Sequence, residues 1–206
     1  MSSSALRALK IAEAIIETEE TNKLKCYQPY EYQERFHNAK DLQGRLARQR
    51  LLMAANKTGK TYCGAVEMAF HLTGMYPNWW TGAKFKRPVT AWAAGNTTAN
   101  TRDIVQAELL GEPGDPEDYG KGAIPKDLIV GQPQRLPGIP NAYQNIVIKH
   151  ISGNRIISWR SHSRMPYKCS RSIYMTYLHS ATPLVRTISF ISINYYCPSC
   201  CLIISR

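Results

Sequence analysis

No aspartate or glutamate follows Asp127 in this 206-residue chain, although 15 acids precede or include it. Residues 151–206 hold seven Lys or Arg, no acid and 11 serines. Ordinary globular segments carry charges of both signs, so this shift in composition is the strongest boundary in the sequence. Long apolar runs are also missing. The stretch "TISFISINYYCPSCCLII" is broken by serines, Asn194 and Pro198, and no run reaches the length of a membrane-spanning helix. The first thirty residues lack the apolar core of a secretory signal, and Glu13, Glu17, Glu19 and Glu20 argue against a transit peptide. No membrane association and no targeting signal are therefore expected. The six cysteines are poorly spaced for metal. Cys197 and Cys200 have knuckle spacing, but only Cys169 with His162 or His179 stands ready to complete a site, so the thiols read as free in a reducing cytoplasm. No internal repeat is present.

What remains is enough for one sizeable domain with a core of its own. The formal charge of +11 favours polyanionic partners without naming one. Residues 4–20 read as an amphipathic helix, with Leu9, Ala12, Ile15 and Ile16 on one side, whose ordinary use is packing. A loop entering a short helix follows in "QPYEYQERFHNAK". Residues 50–55 form a short apolar run suited to a buried strand, and residues 60–73 carry a helical pattern ending at Gly74 with Pro77 beyond. A second strand and helix follow in "PVTAWAAG" and "ANTRDIVQAELLG", an alternation that predicts a parallel sheet with helices on its faces. Residues 111–141 are dense in Gly and Pro and read as a long surface loop before a third strand in "NIVIKHI". Beyond Gly153 no period is sustained long enough to assign elements.

Between the first strand and its helix stands Gly59-Lys60-Thr61. A Gly-Lys-Thr triplet alone is a weak signal. At a strand-to-helix junction it gains weight, because backbone N–H groups there converge on an anion with the helix dipole behind them. The loop Ala54, Ala55, Asn56, Lys57, Thr58, Gly59, Lys60 and Thr61 is the candidate ATP site, with Lys60 on the β- and γ-phosphates and Thr61 as the Mg²⁺ ligand. Alanine at position 54, where the motif has glycine, costs about 1 kcal/mol if that residue needs a positive φ. Lys57 reads either as a solvated lysine or as an added charge near phosphate, and Cys63 as helix packing. Upstream, a glutamine amide can satisfy both the N6 donor and the N7 acceptor of adenine. Gln33 is thus a candidate adenine reader, with Tyr30 or Tyr32 beside the base, against the plainer reading of an ordinary surface loop. The cluster Lys84, Lys86 and Arg87 reads as a solvated face or a DNA contact.

Four stretches in order, "PYEYQERFH", "AANKTGKTYCGAVEMAFHLTGMYPNWWTG", "PVTAWAAGNTTANTRDIVQAELLG" and "GAIPKDLI", resemble the ATPase end of bacteriophage large terminase subunits, across roughly residues 25–152. The resemblance implies a three-layer α/β P-loop NTPase of the ASCE type with a mostly parallel sheet, incomplete at its C-terminus. It divides the chain into an N-terminal helix (1–24), a partial ATPase domain (25–152) and a basic acid-free tail (153–206). It further implies ATP and Mg²⁺ as cofactors, double-stranded DNA, a portal protein and a small terminase subunit as partners, a homo-oligomeric ring, and the cytoplasm of a bacterial host.

That family also needs a Walker B strand ending in Asp-Glu, one carboxylate holding Mg²⁺ and the other polarising the attacking water. It should follow residue 153, where no acid exists. The expectation is that the family-like reading frame ends near residues 150–156, that the rest is shifted or replaced sequence, and that hydrolysis is weak or absent; the alternative for the tail is a divergent basic C-terminal arm that binds DNA phosphates. The nuclease domain of the family has no counterpart here. Two other readings stand beside this one: another P-loop nucleic-acid translocase of helicase type, and a non-catalytic basic nucleic-acid-binding protein in which the triplet is accidental.

Overall fold

A computed structural model of the chain describes residues 3–47, 49–55, 57–94, 97–153, 155–161, 172–180 and 185–194. Helices α1 (Ser3–Thr21), α2 (Lys23–Cys26) and α3 (Glu31–His37) come first. Strand β1 (Gln49–Met53) leads through the Gly-Lys-Thr loop into α4 (Lys60–Thr73). After β2 (Thr90–Ala94), a helical stretch runs as α5 (Thr98–Asn100), a π-helical segment (Thr101–Gln106) and α6 (Ala107–Leu110). Five further strands complete a seven-stranded sheet: β3 (Ile129–Arg135), β4 (Tyr143–Lys149), β5 (Arg155–Ser161), β6 (Ser172–Ser180) and β7 (Val185–Asn194).

The sheet order is β1-β6-β7-β2-β5-β4-β3. Only β1 with β6 and β2 with β5 pair parallel; the other neighbours are antiparallel. The chain is mixed α/β, and the expected mostly parallel sheet is corrected to a mixed one. Part of the cause lies before Gly153, where β3 and β4 pair antiparallel, and part beyond it, where the sequence reading assigned no elements. A β6–β7 hairpin inserts between β1 and β2, and its second arm necessarily runs against both β6 and β2. Strand β3 lies inside the stretch read as a loop. It contains Gly131 at φ +71° and Pro133, and its register with β4 shifts between Val130 and Gln134. Proline and a bulge are tolerated at the sheet's end, where one backbone edge has no partner to satisfy.

The core is built around α4. Its buried side chains include Cys63, Val66, Met68, Phe70 and Leu72, covered by Tyr27, Trp80 and Phe85. Gly59 caps the start of α4 at φ +78° and Gly74 ends it at φ +77°, its N–H donating to Phe70 O (2.8 Å). A Cβ on Gly74 would strike the His150 ring, so the stop signal in the sequence is also a packing requirement. Helix α1 behaves differently: residues 4–21 are all exposed, including Ile11, Ile15 and Ile16. The packing role expected for it is not fulfilled within the described residues. No described helix is long and apolar enough to cross a membrane.

One charged group sits inside this core. Glu67 of α4 is fully buried and accepts from the Arg50 guanidinium, from His37 Nδ1 (2.6 Å) and from His71 Nε2 (3.3 Å). Arg50 also donates to Phe36 O (2.9 Å) and His37 O (3.1 Å) and lies over the Phe36 ring. Burial alone would raise the Glu67 pKa, but the Arg50 charge and the two histidine hydrogen bonds hold it well below the carboxylate range. Burial pushes the His71 pKa below its ordinary 6.5, against the pull of Glu67. Both shifts have the same sign for stability. A depressed folded pKa stabilises fully above the unfolded value and is lost as pH falls towards the folded one. Urea unfolding is expected to show stability declining as pH drops below about 6.5 through His71 and more steeply below about 4.5 through Glu67. At pH 7, Glu67→Ala should cost about 3–5 kcal/mol by leaving Arg50 buried without its anion.

Candidate functional site: the loop between β1 and α4

The loop leaves the C-terminal end of β1 and enters the first turn of α4 at Lys60. Lys57 (φ +60°) and Gly59 (φ +78°) both adopt left-handed backbone. Left-handed residues set among right-handed ones turn successive N–H groups towards a common centre, the concave arrangement that receives anions. The α4 N-terminus adds its partial positive charge at the same place. Ala54 does not have a positive φ, which removes the strain that alanine there was expected to cause. A methyl group fits because the turn is made three and five residues later.

Lys60 is buried, and its ammonium donates to Ala54 O (2.8 Å) and to Ala55 O. Burial lowers its pKa from the usual lysine value. The charged head is thus folded back onto the loop and held by two of its carbonyls. Thr58 Oγ1 donates to Ala55 O (2.9 Å), closing the turn from within. Thr61 is half-buried in the first turn of α4 and Lys57 is exposed. Asn56 lies outside the described residues.

The upstream candidates are gathered against this loop from α3. Gln33 is buried; its Oε1 accepts from Tyr30 N (2.9 Å) and Tyr27 Oη (3.3 Å), while its Nε2 donates to Gly59 O (3.4 Å). Tyr32 Oη donates to Thr58 O, and its ring stacks on the exposed ring of Tyr30 at 6.1 Å and 9°. The structure therefore brings Tyr32 and Gln33 to the loop, 26 residues ahead of their contacts in the chain, while Tyr30 is placed against Tyr32 and Gln33. Sequence reasoning missed Tyr27, His37, Arg50, Glu67 and His71, which back this assembly from the core. Glu67 and His71, four residues apart in an otherwise apolar helical run, were the available signal.

Other features stand apart from the loop. Cys63 is buried and Cys26 exposed, both free; Cys169, Cys197, Cys200 and Cys201 lie outside the described residues. No group of metal-ligating side chains occurs among the described residues. Asp103 pairs with Arg102 (2.5 Å) at the surface, and Lys84, Lys86 and Arg87 are exposed. A surface hollow of about 340 Å³ at the end of α1 is lined by Thr18, Thr21, Asn22, Lys25, Lys126 and Asp127, none of them a loop residue.

Fold and loop together describe a mixed α/β protein with a left-handed turn and a buried lysine at the start of its central helix. Over 63% of its length, the chain is similar to the terminase large subunit of Salmonella phage P22, with 33% identity across 142 residues. It is a relative of a phage terminase large subunit, as the resemblance in the sequence suggested. The chain spans only about 28% of that relative's length. No family model matches it, and no solved structure matches it.

The loop geometry makes two substitutions diagnostic. Ala54→Gly should not stabilise the protein; it should cost about 0.4–1 kcal/mol through added freedom in the unfolded chain. Gly59→Ala should cost about 1–2 kcal/mol, because it forces a side chain into left-handed backbone against the Gln33 amide. Thermal unfolding of the two variants beside the native chain reads both.

Proposed function

We propose that the chain is the ATP-binding portion of a phage DNA-packaging terminase, with a P-loop NTPase core. The observation that carries this reading is Lys60, whose buried ammonium is held over the loop by Ala54 and Ala55 carbonyls at the start of α4. In this proposal residues 54–61 receive the triphosphate, Lys60 exchanges its two carbonyls for phosphate oxygens, and the Thr61 hydroxyl ligates Mg²⁺. The residues present fit such a group: the loop carries two left-handed positions and a buried lysine with exchangeable partners. Bound Mg²⁺ would neutralise phosphate charge. The exposed face of Tyr30 offers a surface for the base.

Turnover is a separate matter. Hydrolysis needs a carboxylate to orient the attacking water, and residues 128–206 supply none. We propose that these 206 residues bind ATP and hydrolyse it poorly or not at all. By the same resemblance the partners are double-stranded DNA, a portal protein, a small terminase subunit and further copies in a ring, in the host cytoplasm. The charge of +11 supports the DNA partner.

Calorimetric titration with Mg-ATP should show binding by the native chain and at least a tenfold loss in Lys60→Ala. Equal binding by both, or none by either, rejects the proposal. Steady-state phosphate release with DNA and Mg²⁺ should stay at background, and robust turnover would overturn the hydrolytic part alone.

A further inference from the structure

Gln33 has two possible uses at this loop, and its surroundings choose between them. A base-reading amide needs a free acceptor and a free donor facing outwards. In this structure both ends are engaged inside the protein. Oε1 receives the Tyr30 N–H, the half of a capping box that starts α3, and also the Tyr27 hydroxyl. Nε2 faces the Gly59 carbonyl, and a Cβ placed on Gly59 would lie 3.3 Å from it. The Tyr30 backbone N–H can only donate, so the opposite orientation would set an amide N–H against it; that contact fixes which way the amide points.

The Tyr27 hydroxyl is itself held. It lies 3.0 Å from His37 Nε2, and His37 Nδ1 lies 2.6 Å from the Glu67 carboxylate. Tyr27, Gln33, His37 and Glu67 are all buried, so no water competes for these bonds. A continuous path of polar contacts thus runs from the buried charge cluster through Tyr27 and Gln33 to Gly59, the left-handed residue on which the loop turns.

We propose that Gln33 braces the phosphate loop at Gly59 rather than reading the base, and that Tyr27 is the positioning residue that fixes its amide from the core. This rests on the nucleotide-binding reading of the loop, but makes a distinct claim about which part of the nucleotide Gln33 serves. A brace acts on the triphosphate whatever base is attached. A base reader acts on ATP alone.

The test uses Mg-ATP, Mg-GTP and inorganic tripolyphosphate, titrated into the full chain and into Tyr27→Phe and Gln33→Ala. Tyr27→Phe keeps the ring that packs on Tyr62, Phe70 and Trp79, and a single cooperative thermal transition well above the assay temperature is the control for folding. Loss of the Tyr27 contact to the amide predicts about fivefold weaker binding of all three ligands by Tyr27→Phe, and loss of the amide itself about tenfold by Gln33→Ala. Loss confined to ATP, with tripolyphosphate unchanged, overturns the brace and restores base reading. Amide hydrogen exchange of the unliganded proteins gives a second readout: residues 58–62 should exchange about fivefold faster in Tyr27→Phe, with the middle of α4 unchanged. If the native chain binds none of the ligands, the nucleotide reading fails. In that case, faster exchange at residues 58–62 still upholds the brace, and unchanged exchange refutes it.

Discussion

The buried carboxylate of Glu67 is the constraint around which the rest is arranged. A lone ion in that position is untenable, and it persists because Arg50, His37 and His71 surround it. Arg50 stands on β1, the strand that leads into the loop, while Glu67 stands about two turns into α4, the helix that leaves it. Their ion pair ties the two ends of the loop together. His37, at the end of α3, ties in the helix that brings Gln33 and Tyr32 to the loop. A group with no contact to any ligand thereby sets the positions of the groups that would make one.

Around that cluster lies a shell of rings. Tyr27, Phe70, Trp79, Trp80, Tyr76 and Phe85 pack edge-to-face or tilted on one another and on the two histidines, with centroids between 4.7 and 6.3 Å. Such rings exclude water while offering hydroxyl and imidazole edges as hydrogen-bond partners. Tyr76 shows the economy of this arrangement: its hydroxyl meets His71 Nδ1 (2.9 Å) and accepts from Phe85 N (2.9 Å). The "HLTGMYPNWW" block that carried the family resemblance is thus, in large part, the covering of one buried charge.

Much of the local framework was legible in advance. The helix over residues 60–73, its glycine stop and the loop before it follow from periodicity and glycine chemistry, which act within a few residues. The sheet was less so. Strand β3 hides behind Gly131 and Pro133, which signal a loop except at a sheet edge. Strands β5, β6 and β7 acquire their places from partners far away in the chain, such as Leu52 opposite Tyr177 and Ala91 opposite both Trp159 and Ile193. The amphipathic α1 showed that a pattern indicates which face is apolar but not whether anything in the same chain covers it.

The sequence by itself determined where the Gly-Lys-Thr turn falls between strand and helix and that no acid follows Asp127, because both depend on residue type at neighbouring positions. Only the tertiary structure decided that Ala54 is unstrained, that Gln33 turns inwards, and that Glu67 gathers Arg50, His37 and His71. Apart from His71, which is one helical turn from Glu67, the groups around Gln33 and Glu67 meet across 17 to 30 residues, as Arg50 with Glu67, Gln33 with Gly59 and His37 with Glu67 do. Their directions are set by three-dimensional packing, and linear spacing carries no record of it.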